Sequence, residues 1–325
     1  MYSFKMENTR NFYHRGRKSL KIGVDVGGHT LVTALVSETE AGVLPRIEKI
    51  DTTATPRERG ATDVMNAIAE AVSRLAGVAD ISSIGLGIPG MLDAKRRHSC
   101  RLPNFPHCWD GLDVPAALHE ALARFNLKAG GINIENDANC YALGEGLAGE
   151  AVGISDYVTF TLGTGIGCGI VSGGRLITGG NGMAGEGGHA IVGGDAPCGC
   201  GGKGHSETVA AADGTESRAL RKGLPGDFAN LWTMRGTRDA DEVIDATLDA
   251  LARTIATTCH LLDPKVVIIG GGMSKAVGII EALAEKTIPY LCNPLKKLLD
   301  LRRSKLGSEA ALYGAAGLGA GRGLA

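Results

Sequence analysis

Apolar positions along this 325-residue chain fall into two patterns, short runs that suit strands and longer stretches with a three-to-four-residue recurrence that suits helices. Lys21–Val26 (KIGVDV) and Leu31–Val36 (LVTALV), joined by Gly27-Gly28-His29-Thr30, predict a β-hairpin. Arg46–Asp51 adds a third strand. Ala61–Leu75 places Val64, Ile68, Val72 and Leu75 on one stripe and predicts an amphipathic helix. A buried strand follows at Ile84–Ile88, ended by Pro89-Gly90. Asp113–Phe125 predicts a second helix, capped by Asp113 with Pro115 in its first turn, and Val114, Leu118, Leu122 and Phe125 share its face. Ile132–Ile134 then runs as a strand into Glu135-Asn136-Asp137, and Ala138–Gly146 reads as helical.

The same order returns further on. Tyr157–Leu162 and Gly169–Val171 flank a second glycine turn, Asp239–Leu262 predicts a long helix, and Val266–Ile269 is an apolar strand leading into Gly270-Gly271-Gly272. A small-residue helix near Glu309–Gly317 closes the pattern. The two passages, 21–137 and 155–272, lie about 135 residues apart, far beyond any solenoid period, and predict two related α/β lobes with a cleft between them.

Composition narrows the classes of function. A formal net charge of −1 lacks the basic excess of a nucleic-acid surface. No apolar run approaches the ~18–20 residues that span a bilayer, and the basic start MYSFKMENTRNFYHRGRKSLK lacks the apolar core of a secretory signal. A cytoplasmic protein with a short N-terminal tail is the expectation. Eight cysteines in such a chain do not read as a disulfide framework. Only Cys198 and Cys200, in CGCGGKGHSE, form a local pair, open to a metal, a disulfide or a plain turn. Glycine, at 49 residues, clusters directly after apolar runs, which places tight turns at strand ends near a ligand.

Those turns carry the candidate chemistry. In GVDVGGHT, exposed backbone amides beside a carboxylate suit phosphate oxygens, and Asp25 could hold a Mg²⁺ that accompanies them; a hairpin with a half-buried Asp is the plainer alternative. TLGTGIGCG is a second such turn, neither a dinucleotide fingerprint nor a P-loop, and IIGGGMS a third. Asp137, just after a strand, could accept a proton from a hydroxyl attacking a phosphoryl group, or could cap the next helix.

DVGGHT, PG…LPNF…W, ENDAN, TLGTGIGCGI, GEGGH, CGCGGKGHSE and IIGGGMS, in this order and spacing, resemble the ROK family of repressors, open reading frames and sugar kinases. The likeness spans roughly residues 21–320 and is closest to the bacterial glucokinases and related hexose kinases. It implies an α/β fold of the actin-like ATPase (ribonuclease H-like) kind, with two lobes closing over ATP and a sugar. By that resemblance the smaller lobe comprises 21–137 plus 308–325, the larger 138–307 with a zinc-binding loop, and 1–20 a tail. Asp137 is then the general base, and Asn104, Asn136, Glu186, His189 and Glu207 contact sugar hydroxyls. Asp25, Gly27, Gly28, Thr30, Gly163, Thr164, Gly165, Gly271 and Gly272 serve Mg²⁺ and the nucleotide. The family holds a structural zinc with one His and three cysteines; here His189, Cys198 and Cys200 fill three places and His205 stands at the fourth. Two thiolates and two imidazoles form an acceptable tetrahedral set. A second departure is His29, where the family commonly has the Thr found here one residue later, at Thr30.

The resemblance admits two classes of function. A hexose kinase, glucose first, is the leading one, with N-acetylmannosamine, N-acetylglucosamine and fructose as alternatives set by the loops Leu102–Trp109 and Asn181–Glu186. A sugar-sensing repressor would need an N-terminal helix-turn-helix, for which a first strand at Lys21 leaves no room. A homo-oligomer, dimer or tetramer, is the family expectation.

Overall fold

A computed structural model describes residues 20–37, 43–76, 81–102, 105–106 and 109–318 of the protein. The expectations for the N-terminal tail, for Asn104 and for residues 319–325 lie outside the described residues.

The chain opens with β1 (Leu20–Val26), β2 (Thr30–Val36) and β3 (Ile47–Ala54), then α1 (Ala61–Ala76) and β4 (Ile81–Ile88). A small hairpin, β5 (Met91–Leu92) with β6 (Ser99–Arg101), precedes α2 (Val114–Ala123), β7 (Ile132–Asn136) and α3 (Asp137–Ala148). The second half begins with β8 (Tyr157–Leu162), β9 (Ile166–Ser172) and β10 (Arg175–Leu176). The helices α4 (Ser206–Ala210), α5 (Ala212–Arg221), α6 (Phe228–Thr233) and α7 (Arg238–Leu262) then lead to β11 (Val266–Gly270). The chain continues through α8 (Ile279–Thr287), α9 (Asn293–Lys296), β12 (Leu301–Arg303) and α10 (Glu309–Gly317).

These strands form two five-stranded sheets of matching order, β3-β2-β1-β4-β7 and β10-β9-β8-β11-β12. In each, an antiparallel hairpin comes first and two parallel strands follow on the other side. The internal repeat read from the sequence is therefore a repeat of topology, and it extends past residue 272 to β12. Two expectations are corrected. Strand β9 starts at Ile166 rather than Gly169, so the second glycine turn is shorter. Phe125 lies beyond the end of α2 and is 37% exposed, outside the buried face formed by Val114, Leu118 and Leu122.

Strand alternation explains the layering. Along β1 and β4, Ile22, Val24, Ile84, Leu86 and Ile88 point to one side, where they pack with Val64, Ile68 and Val72 of α1 and Leu118 and Leu122 of α2. On the opposite side Gly23 and Gly85 leave room for a helix, and α10 lies against them. A side-chain carbon at Gly23 would stand 2.1 Å from the Leu312 carbonyl oxygen, and one at Gly85 only 1.7 Å from that of Ala315. The second sheet presents Val158, Phe160, Leu162, Val267 and Ile269 to Val243, Leu248, Leu251 and Ile255 of α7. Its other face takes α3, with Gly169 within close reach of Ala142. Helices α3 and α10 thus form a small-residue layer between the sheets, joined by close backbone approaches at Gly144 and Gly314. Asp25 shares the inner face with Gly23, which aims it at that layer.

Candidate active site

Helix α3 starts where β7 ends, and its first turn forms the floor of the cleft. Asn136 is the N-cap: its Oδ1 accepts from the amides of Ala138 at 2.9 Å and Asn139 at 3.1 Å, while its Nδ2 donates to the Gly90 carbonyl at 3.1 Å. The cap therefore belongs to Asn136, which leaves Asp137 free for other chemistry. Asp137 is half-buried, its Oδ1 accepting from the Ala138 amide at 2.8 Å. Burial pushes its carboxyl up to about 6, with the Glu186 charge adding to the effect and the Ala138 amide opposing it. Asp25 is pushed higher, to about 7, by burial and by the charge of Asp137. Two carboxylates from different elements thus meet at one desolvated spot.

Above Asp137 lies an open cleft of about 440 Å³, a volume that includes solvent at its mouth. Gly90, Met91, Asn136, Asp137, Met183 and Glu186 line it. Glu186 comes from the loop after β10, and burial raises its carboxyl. His189 follows in a 3₁₀ turn, its Nε2 at 3.7 Å from a Glu186 oxygen. Glu207, in α4, sits beside the second glycine turn: its Oε2 accepts from the Ile166 amide at 2.9 Å, and its Oε1 faces Cys198 Sγ at 3.9 Å. Asn136, Asp137 and Glu186 therefore face the cleft directly, with His189 beside Glu186 and Glu207 behind the turn.

The glycine turns are built as tight strand connections. Gly27 donates to the Thr30 carbonyl at 3.0 Å, and Thr30 and His29 are exposed at the tip. Gly163 donates to Gly165 at 3.0 Å and leaves Thr164 exposed. Gly271 has φ +82°, and a side-chain carbon there would stand 2.3 Å from the Leu162 carbonyl oxygen, so this third turn lies flat against the second. Gly272 follows, opening a 3₁₀ turn.

His189, Cys198, Cys200 and His205 each bring one donor atom to a common point, all four within 4.8 Å of one another. Cys198 Sγ lies 3.8 Å from His189 Nδ1, and Cys200 Sγ lies 3.4 Å from His205 Nδ1. A tetrahedral zinc with these ligands needs S···N edges of about 3.5 Å, so the donor set fits. The Gly202 amide also donates to Cys200 Sγ at 3.4 Å.

Several residues of the site were not legible from motifs. Thr55 ties the first glycine turn to the end of β3, its hydroxyl donating to the Gly27 carbonyl at 2.7 Å and its amide to that of His29 at 2.9 Å. Beyond it, the Arg57 guanidinium stands against Gly28. Beneath the cap, Glu135 is fully buried and paired with Arg96 at 2.8 Å. The only sequence sign was a carboxylate at an inward position of β7; Arg96, in AKRRH, reads as part of an ordinary charged loop.

Among the described residues, no helix is long and apolar enough to cross a membrane. The ROK family model matches residues 21–321 of the chain. A glucokinase of Thermotoga maritima is 36% identical over 317 residues, covering 91% of this chain and 96% of its own length. An N-acetyl-D-glucosamine kinase of Vibrio cholerae is 30% identical, with 90% and 97% covered. The crystal structure of a ROK family glucokinase from Streptomyces griseus, in complex with glucose and AMPPNP, superposes with a TM-score of 0.76 at 28% identity, covering 92% of this chain and 99% of that one. With its doubled sheet, glycine turns and carboxylate-floored cleft, this chain belongs to the ROK family, on the actin-like sugar kinase fold.

Proposed function

We propose that this protein is an ATP-dependent hexose kinase whose first substrate is glucose, phosphorylated on its 6-hydroxyl. The observation that carries the reading is Asp137: a carboxylate desolvated at the first turn of α3, raised to about 6, and facing a cleft lined by Asn136 and Glu186. A group of that pKa is mostly ionised at pH 7 to 8 and still basic enough to take a proton. Asp137 accepts the hydroxyl proton as the sugar oxygen attacks the γ-phosphorus of ATP, while the bond from that phosphorus to the β–γ bridging oxygen breaks and ADP leaves. Asn136, Glu186, His189 and Glu207, with Asn104, position the remaining hydroxyls, because amides, carboxylates and imidazoles match groups that both donate and accept.

Gly27, Gly28 and Thr30 on one side, and Gly163, Thr164 and Gly165 on the other, present backbone amides and hydroxyls to the phosphates, with Gly271 and Gly272 beside the nucleoside. Mg²⁺ held at Asp25 would neutralise charge on the transferring phosphoryl group. The lobes are taken as 21–137 with 308–325, and 138–307, with phosphoryl transfer in the cleft between them in a cytoplasmic enzyme. A structural zinc at His189, Cys198, Cys200 and His205 would fix the His189 ring, whose other nitrogen faces Glu186, and so hold the sugar contacts in place. N-acetyl-D-glucosamine is the second candidate substrate, because a kinase for it is among the relatives.

The test is a coupled ADP-release assay with Mg-ATP against glucose, mannose, fructose, N-acetylglucosamine and N-acetylmannosamine. Turnover fastest on glucose is the expected result. Turnover on another of these sugars replaces the substrate and keeps the chemistry; no sugar-dependent ADP release with any of them overturns the kinase reading.

A further inference from the structure

Arg96 is a buried guanidinium that belongs to no part of the chemistry above. It sits in the hairpin loop between β5 and β6, with a left-handed backbone at φ +51°, and its side chain is only 8% exposed. Its Nε donates to Glu135 Oε2 at 2.8 Å, and its Nη1 donates to the Gly182 carbonyl at 2.8 Å. Glu135, with a side chain entirely out of solvent, spends its other oxygen on the base of α3. Oε1 accepts from the Asn136 amide at 2.8 Å and from Asn139 Nδ2 at 3.0 Å.

The chain of contacts therefore runs from Gly182 through Arg96 and Glu135 to Asn136 and Asn139. At one end is the loop that carries Met183 and Glu186 into the cleft; at the other is the cap of the helix whose first residue is Asp137. The two ends come from the two halves of the topological repeat, so this guanidinium spans them. Its fork geometry suits such a bridge, since a planar group with separate N–H donors can hold a carboxylate and a carbonyl at once, which an ammonium on a flexible stem does poorly. Gly182 has φ +78°, and a side-chain carbon there would stand 2.8 Å from Arg96 Nη1, so the loop is shaped to receive this arm.

We propose that Arg96 is a positioning residue, one that sets the sugar-facing loop 179–186 in register with the helix end bearing the catalytic base. It acts through Gly182 and Glu135 and touches neither ATP nor the reacting hydroxyl. The inference rests on the sugar-kinase reading of the site. Sugar affinity and turnover therefore depend on it, whereas nucleotide affinity, set at the glycine turns, does not.

The test measures KM for glucose, KM for ATP and kcat in the parent enzyme and in Arg96→Lys, Gly182→Ala and the double variant, with thermal unfolding of each. The expected result is a glucose KM raised about tenfold or more in both single variants with ATP KM changed less than twofold. In the double variant the two effects should fail to multiply, because both break one contact. Gly182→Ala keeps the Arg96–Glu135 pair, so it remains informative if Arg96→Lys unfolds. Unchanged glucose KM in a folded Gly182→Ala overturns the proposal, as does an equal rise in both KM values. Absence of sugar turnover in the parent enzyme would instead overturn the kinase reading itself.

Discussion

Asp25 and Asp137 bind a proton more readily in the folded protein than in the unfolded chain, where an ordinary aspartate titrates at 3.8. Burial is the main cause for both; Asp137's charge adds to the shift at Asp25, while Asp137 responds further to Glu186. A raised pKa means that these groups favour folding at low pH and that this contribution is lost as pH rises through about 6 for Asp137 and about 7 for Asp25. At pH 8 both are ionised at a cost to stability. Asp25→Asn should therefore raise the melting temperature by a few degrees at pH 8 and leave it nearly unchanged at pH 4, while abolishing most activity with Mg-ATP. Equal shifts at both pH values would show that the charge is not the cause. The same titration predicts that kcat/KM for glucose falls as pH drops through about 6. Asp137→Asn should lower kcat by about 10²–10⁴ with glucose binding by calorimetry largely retained; near-normal turnover removes Asp137 from its role.

At this scale the sequence was uneven. At Asp137 the position after a strand and before a helix left two readings open, a proton acceptor or a cap, and only the family resemblance favoured the first. The adjacent Asn136 resolves the competition for the cap, since its Oδ1 takes two amides. Arg96 was not legible, because its meaning comes from a buried partner 39 positions away and a carbonyl 86 positions away. Charge runs in loops are normally solvated, and nothing local marks the exception.

Among the elements, those with strict periodicity were read to within a few residues: α1, α7, β1, β2 and β8. The pieces that escaped are short. Strands β5, β6, β10 and β12 have two or three residues each, too few for an alternation to register. They are fixed by pairing with neighbours distant in sequence, as β12 is by β11. Helix α10, rich in small residues, packs tightly against α3. A side-chain carbon at Gly314 would stand 1.7 Å from the Cys140 carbonyl oxygen, inside α3. Gly314→Ala should therefore push α10 off α3 and lower the melting temperature by more than its better helix propensity could restore, that gain being only ~1 kcal/mol. A neutral or stabilised Gly314→Ala would contradict the tight seam.

The loop between His189 and His205 is held by short bridges, Ile191 with His205 and Pro197 with Lys203. Such a segment has little apolar burial of its own, so a bound metal has leverage over its shape. His205→Ala should lower the zinc content of the purified protein, measured by mass spectrometry, and weaken glucose binding with it. Parent protein purified without chelators and lacking zinc would exclude the site.

The whole molecule is a doubled unit, and the doubling explains where the chemistry sits. Each half offers one glycine turn at the end of its leading hairpin, and glycines on the inner faces, Gly23 and Gly85 of one sheet and Gly167 and Gly169 of the other, let α3 and α10 approach closely between them. Asp137 stands at the start of one of these central helices, so the proposed catalytic base is carried by the seam rather than by either sheet. A seam of small residues has few interlocking side chains, which lets packed layers slide or hinge with little repacking. The polar link from Gly182 to Glu135 then supplies what the smooth seam lacks, a directional contact between the halves. A sugar bridging Asn136 and Glu186 would draw the halves together in the same sense, excluding the water that would otherwise accept the phosphoryl group. Glucose should therefore reduce the radius of gyration in X-ray scattering, and ATP hydrolysis without sugar should be far slower than sugar phosphorylation. In Gly182→Ala, glucose should produce a smaller contraction at saturating concentration. An unchanged radius in the parent enzyme, with glucose shown to be bound, would mean that the cleft is already shut and that the seam is a rigid mount for Asp137.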